Sequence, residues 1–160
     1  MKFFTDEKLQ NSTAHEEYEE YCETIWYDLP HDLKCIHGGM LSENLTAGQS
    51  HVTLHDARIT SFELNVTDLK VSFNTDHNGG LRKVWFHYQH VLLIHLPSEN
   101  VLGKKVIANP QSDIMCHEIE QTAEKEWTHT LLFASSEELV IRFKDFSMSF
   151  EDTTDGNHIE

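Results

Sequence analysis

The first thirty residues carry the hydrophobic periodicity of an amphipathic helix. Its apolar positions, spaced by three and four residues, are Tyr18, Tyr21, Cys22, Ile25, Trp26 and Leu29. Thr13, with Glu16 three residues later, is a capping box that predicts where the helix begins, and Pro30 predicts where it ends. Thr5, ahead of two acidic residues, predicts a separate helix start nearer the N-terminus.

After residue 50 the apolar residues change to a period of two, which is typical of strands. Residues 31–50 lack a sustained period, and we interpret them as a loop-like connector. Leu69, Val71 and Phe73 alternate with polar residues, whereas the alternation ahead of them slips near Ser61. A turn at 76–80 precedes strand-like segments at 84–88 and 91–96. A loop over 98–112 follows them and precedes three further segments, at 114–121, 126–135 and 138–146.

These elements predict an α+β fold in which an N-terminal amphipathic helix packs on a mainly antiparallel β-meander sheet. A chain of 160 residues fits one ordinary domain. We expect this domain to span residues 1–152, and the polar residues 153–160 to form a flexible C-terminal tail. The pattern leaves the strand order and the oligomeric state open.

The chain is strongly acidic, since 27 Asp and Glu residues against 12 Lys and Arg residues give a formal net charge of −15. A field of that sign repels phosphate groups and anionic lipid, so we expect no nucleic-acid or membrane partner and a basic protein instead. No apolar run approaches the ~20 residues that a membrane span needs. The charged residues that follow Phe4 leave no signal-peptide core, so we expect a cytoplasmic protein.

The three cysteines, one of which is Cys22, are too few and too scattered for a disulfide framework. Cys35 with His37, and Cys116 with His117, together offer the four ligands of a tetrahedral zinc site. Neither pair has the spacing of a common zinc motif, and thiols of this kind usually serve as small apolar side chains. We therefore expect no cofactor, with zinc as the alternative at this one site.

Histidine is unusually frequent, with 12 residues in the chain. His55 beside Asp56 is the strongest candidate for an acid–base pair, but neighbouring residues of a strand point to opposite faces, and Asp56 has Arg58 as an alternative partner. His117 and His129 lie on neighbouring predicted strands, where their imidazoles can meet. The sequence motifs of zinc proteases, phosphate-binding loops and serine hydrolases are absent, which favours a non-catalytic protein.

Carboxylates concentrate on the predicted helix and near the C-terminus. Glu16, Glu20 and Glu23 lie opposite the apolar face of the helix, and Glu137 and Glu138 extend the acidic bias to the predicted sheet. Such residues either keep a protein soluble or steer a basic partner toward it. We take these five glutamates as the candidate partner-binding residues.

Several short motifs follow one another in a fixed order through most of the chain. They are MKFFT at residues 1–5, LHDARI at 54–59, a Gly-Gly turn before an aromatic strand, and a spaced pattern from Glu118 to Asp145. This order resembles a family of small, uncharacterised bacterial proteins that is known only as a domain of unknown function. The chain is shorter than that family's usual form between the first helix and Leu54. The resemblance implies the α+β fold and no established activity.

The sequence thus leads to a functional hypothesis with two alternatives. The first is a non-catalytic acidic module that blocks a basic protein, most concretely an immunity protein that neutralises a basic toxin, since nuclease toxins are basic. The second is a metal-binding protein or metal-dependent hydrolase that uses the His and Cys ligands. The third is a structural subunit of a larger assembly.

Overall fold

The computed structural model describes residues 1–36, 52–76, 80–97 and 112–152. The helices come first in the chain: α1 Asp6–Gln10, α2 Ala14–Ile25 and α3 His31–Ile36. The strands follow: β1 Arg58–Asn65, β2 Asp68–Asn74, β3 Arg82–Gln89, β4 Leu93–His95, β5 Ile114–Ala123, β6 Glu126–Phe133, β7 Glu138–Phe143 and β8 Asp145–Asp152. Each pairing between these strands is antiparallel, so the predicted α+β fold with mainly antiparallel strands is confirmed.

The strands form two sheets, whereas the sequence pattern predicted one meander. The first sheet has the order β1-β2-β3-β8 and the second the order β4-β7-β6-β5. Lys144 alone separates β7 in the second sheet from β8 in the first, so the chain crosses between the sheets at this residue. The predicted strand over 138–146 is therefore two strands. The slip predicted near Ser61 is confirmed, because the register of β1 against β2 shifts between Ile59 and Ser61.

The inner faces of the two sheets share one hydrophobic core. Alternate residues of the central strands point into it, and the largest fully buried ones are Phe73, Phe86, Tyr88, Leu131, Phe133 and Phe143. The rings of Tyr88 and Phe143, one from each sheet, meet edge-on with their centroids 5.0 Å apart. Burial of these rings contributes to the apolar contact between the sheets.

The helical region is more divided than the sequence predicted. The Thr5 side chain accepts a hydrogen bond from the Lys8 amide and caps α1 as expected, but Thr13 makes no side-chain cap and the predicted capping box is wrong. α2 ends at Ile25 rather than at Pro30, and Pro30 instead precedes α3, which replaces the start of the predicted connector. Within the described ranges, every helix falls short of the length and apolar character of a membrane span.

Two of the sheet edges are covered by helix side chains. The hydroxyl oxygens of Tyr18 and Tyr21 on α2 accept hydrogen bonds from the backbone amides of β5, at 2.6 Å from Ile119 and 2.8 Å from Gln121. On the other sheet, a carboxylate of α3 accepts a hydrogen bond from a β8 amide in the same way. These contacts satisfy edge donors that a neighbouring strand would otherwise bind.

The predicted C-terminal tail lies outside the described residues. So do the 31–50 connector beyond Ile36 and nearly all of the loop predicted over 98–112.

Candidate functional site

The outer face of α2 carries the candidate partner-binding residues Glu16, Glu20 and Glu23. All three are exposed, while the opposite face of the helix is buried, as the sequence predicted. No ion pair involves any of the three within the described part of the chain. By contrast, Glu17 contacts the Lys8 ammonium at 2.5 Å, and this hydrogen bond lowers the pKa of Glu17. The acidic face of α2, defined as Glu16, Glu20 and Glu23, thus presents three carboxylates for an external cation.

The other two candidates, Glu137 and Glu138, differ from this arrangement. Glu138 Oε1 lies 2.7 Å from the ammonium group of Met1, and the Glu138 side chain is one-third exposed. The backbone amide of Glu137 donates to Ser135 Oγ at 3.4 Å, and the carboxylate lies at the same distance from that hydroxyl. Both carboxylates therefore already have internal partners, and the acidic face of α2 is the better candidate surface.

The N-terminal segment is bound to the outer face of the second sheet through one buried carboxylate. The fully buried Glu118 of β5 accepts hydrogen bonds from three consecutive backbone amides, at 2.5 Å from Lys2, 2.9 Å from Phe3 and 3.4 Å from Phe4. Three converging amide donors provide the hydrogen bonds that a buried carboxylate needs in place of water. Phe3 and Phe4 are buried beside it.

A groove of about 440 Å³ opens next to this segment. The residues that matter in it are Phe4, Leu9, His15, His55, Met115 and Cys116, and we call it the Met115 groove. Leu9 and Met115 are 41% and 44% exposed, so both present apolar surface to solvent at the groove. The Phe4 ring meets the His15 ring edge-on at 5.1 Å and forms one wall.

The groove was not predicted from the sequence, because its walls come from segments about a hundred residues apart. The apolar residues of the N-terminal MKFF segment were the one local signal of its existence.

The predicted zinc ligands Cys35, Cys116 and His117, which lie within the described ranges, do not form a metal site. Cys35 donates to the carbonyl oxygen of His31 within its own helix, whereas Cys116 lies 3.9 Å from the sulfur of Met1. Burial raises the pKa of the Cys116 thiol to about 12, which disfavours the thiolate that zinc requires. His37 lies outside the described residues, and within those ranges no group of three or more His, Cys, Asp or Glu side chains is placed to bind a metal.

The paired imidazoles are confirmed. His129 Nε2 lies 3.1 Å from His117 Nδ1, and His129 Nδ1 lies 2.8 Å from the hydroxyl of Tyr88. His129 and Tyr88 are fully buried between the sheets, while His117 is half-buried. Burial raises the pKa of Tyr88 well above its ordinary value, so this hydroxyl stays protonated in the chain of hydrogen bonds. Its position in the core indicates a structural role.

The His55–Asp56 pair is placed at the turn before β1. His55 Nδ1 lies 2.8 Å from the carbonyl oxygen of Met115, and its Nε2 is 3.5 Å from the Asp56 carboxylate. That separation is longer than a normal hydrogen bond, and both side chains are widely exposed. Arg58, the predicted alternative partner of Asp56, hydrogen-bonds to Asp113, which raises the pKa of Arg58, and the charge of the Asp56 carboxylate contributes to the same rise. The pair therefore lacks the close, shielded geometry of an acid–base dyad.

Comparisons with known proteins leave the chain without relatives of known function. No family model matches it, and no curated protein matches it. Among solved structures, an uncharacterised protein from Neisseria gonorrhoeae is similar to 59% of this chain and 91% of its own, with 11% sequence identity and a TM-score of 0.43. A similarity at that level carries no functional argument. The resemblance to the bacterial family of unknown function stays a prediction.

Proposed function

We propose that the chain is a non-catalytic protein-binding module whose acidic surface binds a basic protein. The observation that carries the proposal is the acidic face of α2, with three exposed carboxylates that form no ion pair with any described residue. Carboxylates that stabilise this fold have a different environment, as the buried Glu118 shows. Because Glu16, Glu20 and Glu23 have no ion-pair partner among the described residues, their carboxylates are available to a partner.

The net charge acts in the same direction as this local surface. A formal charge of −15 attracts a basic protein over a long range and raises the rate of encounter. The same charge disfavours nucleic acid and anionic membranes as partners. The most concrete form of the proposal is a cytoplasmic immunity protein that covers the nucleic-acid-binding surface of a basic toxin.

The test begins with capture of partners from a lysate of the source cell, followed by association rates of the captured protein. Replacing Glu16, Glu20 and Glu23 with Lys adds two charges at each position and moves the net charge from −15 to −9. We expect association to slow about tenfold or more at low salt, because steering is lost. The difference should shrink as salt shortens the Debye length below about 8 Å.

A matched control separates the face from the total charge. Replacing the exposed Glu63, Glu124 and Glu151 with Lys gives the same net charge of −9, since these residues are also three glutamates, on β1, the β5–β6 turn and β8. The control should slow association much less than the α2 variant. If both variants slow it equally, the α2 face is not the contact surface. If no basic protein is captured, the proposal itself is wrong.

A further inference from the structure

We propose that the Met115 groove receives one apolar side chain of the basic partner, flanked in the partner's own sequence by Lys or Arg. This inference rests on the proposed function and adds to it the position and chemistry of the anchor residue. His15 lines the groove, the next residue, Glu16, is the first of the acidic face of α2, and both side chains are exposed. One partner segment can therefore contact both surfaces at once.

The walls of the groove fit an apolar side chain. Leu9 from α1 and Met115 from β5 both line the groove, yet over two-fifths of each is exposed. Phe4, whose amide donates to the Glu118 carboxylate, forms a third apolar wall. A volume of about 440 Å³ lies within the usual range for ligand pockets and accommodates a large side chain such as Phe or Leu. The lining of the groove is mainly apolar, which suits an apolar side chain.

Acidic residues on separate elements lie close in sequence to residues that line the groove. Asp6 lies three residues before Leu9 on α1, and Glu19 lies four residues after His15 on α2. Residues at these spacings share one side of a helix, so each carboxylate is on the same side as its groove-lining neighbour. Asp56 is adjacent in sequence to a third lining residue, His55.

The cations close in sequence to lining residues already have carboxylate partners. Among the described residues that line the groove, none is Lys or Arg. Lys8, beside the lining residue Leu9, is paired with Glu17, and Arg58, near the His55 turn, is paired with Asp113. An apolar groove with acidic residues nearby favours a partner segment in which an apolar side chain is flanked by Lys or Arg. It disfavours a segment in which the same side chain is flanked by Asp or Glu. The same arrangement occurs at hot spots of protein–protein interfaces, where one side chain fills a pocket and other contacts surround it.

The inference is tested with blocked pentapeptides and the isotope-labelled full chain. The probe is Lys-Arg-Phe-Arg-Lys, and its two comparison peptides replace Phe with Ser or all four cations with Glu. We expect the probe to shift the amide resonances of Leu9, His15 and Met115, and to bind about tenfold or more tightly than either comparison peptide. Binding of all three peptides with equal affinity would overturn the inference.

Two variants locate the binding site. Leu9→Ser with Met115→Ser removes the exposed walls, and we expect it to weaken the Phe probe about tenfold. Leu64→Ser, at another exposed leucine, is the matched control and should leave binding unchanged. The melting temperature of each variant verifies that it is folded. Equal binding of the probe to the parent and the double variant would overturn the inference.

The peptide experiment also separates the two proposals. If the Phe and Ser peptides bind equally and shift only the resonances of the acidic face of α2, the groove is not an anchor, while binding of cations by α2 stands. If no cationic peptide binds, the anchor is refuted, and the proposed function is then decided by the lysate capture alone.

Discussion

Replacing Glu118 with Ala removes the one side chain that binds the N-terminal segment to the second sheet through three backbone amides. Glu118 is fully buried, and the amides of Phe3 and Phe4 that donate to it are buried as well. The alanine variant leaves these donors without an acceptor, because water cannot reach them unless the segment leaves the sheet. The Lys2 amide is closer to solvent and can bind water instead.

The expected loss follows from the two buried donors. Each unsatisfied buried amide costs about 1–3 kcal/mol, and hydrogen bonds to a charged acceptor lie in the upper part of that range. With two buried donors left unsatisfied, we expect Glu118→Ala to lower the free energy of unfolding by about 2–6 kcal/mol. Glu118→Gln keeps one carbonyl oxygen as an acceptor, so it should cost less, about 1.5–3 kcal/mol.

The assay is urea unfolding followed by tryptophan fluorescence, combined with hydrogen exchange of the Phe3 and Phe4 amides. The control is Glu120→Ala: the Glu120 carboxylate lies 3.5 Å from Lys2 Nζ, and such a surface pair contributes about 0–1 kcal/mol. If Glu118→Ala unfolds within about 0.5 kcal/mol of the parent and its Phe3 and Phe4 amides still exchange slowly, the reasoning is refuted.

Further predictions concern the helix contacts, the thiols and metal. Tyr18→Phe leaves the buried Ile119 amide without its acceptor and should cost about 1–3 kcal/mol in urea unfolding, more than Tyr21→Phe at a half-buried site; equal losses would contradict this. Burial raises the pKa of Cys22 and Cys116 from 9.0 to about 12. The free energy of unfolding should therefore keep the full contribution of the two protonated thiols below about pH 9 and fall as the pH rises toward 12. Replacing both thiols with Ala should reduce that decline, and an unchanged pH profile would contradict it. A chelator should leave the melting temperature unchanged; a fall with loss of stoichiometric zinc would restore the metal hypothesis.

The strands were predictable where the pattern that forms them is local. Leu69, Val71 and Phe73 alternate because one face of β2 is buried, and the sequence shows this directly. The same signal was present in β8, where Phe146, Met148 and Phe150 alternate with polar residues, yet the prediction ended a strand at residue 146. That error came from the one-residue connection at Lys144, which carries no turn residue to mark the boundary.

The division into two sheets was not predictable, because it depends on contacts between distant residues. β3 pairs with β8 from Arg82↔Asp152 to Gln89↔Asp145. In sequence, all four strands of the second sheet lie between these two strands. Periodicity identifies which face of a strand is buried, but it does not identify the strand's neighbour. The end of α2 at Ile25 was missed because periodicity reports burial and not conformation. Leu29 is buried, as the helical pattern predicted, but it lies in a turn after the helix.

The candidate site residues show the same difference between properties set by the local sequence and properties set by distant residues. Exposure of Glu16, Glu20 and Glu23 was predictable, since it follows from the helical period alone. The internal partner of Glu138 was not, because the Met1 ammonium lies 137 residues away in sequence. A count of charges treats every carboxylate alike, whereas the structure separates those that hold the fold from those that face solvent.

Glu118 connects the fold to the proposed binding surface. Its hydrogen bond with the Phe4 amide places the Phe4 ring against His15, and this ring is a wall of the Met115 groove. The buried Glu118 carboxylate therefore shapes the groove, while the exposed carboxylates set the charge around it. Because Glu118 acts through packing and the exposed carboxylates act through their electric field, salt should weaken the attraction of a cationic partner without changing the shape of the groove. The shape of the anchor site and the charge that attracts a partner to it are thus separable properties of the same face of the molecule.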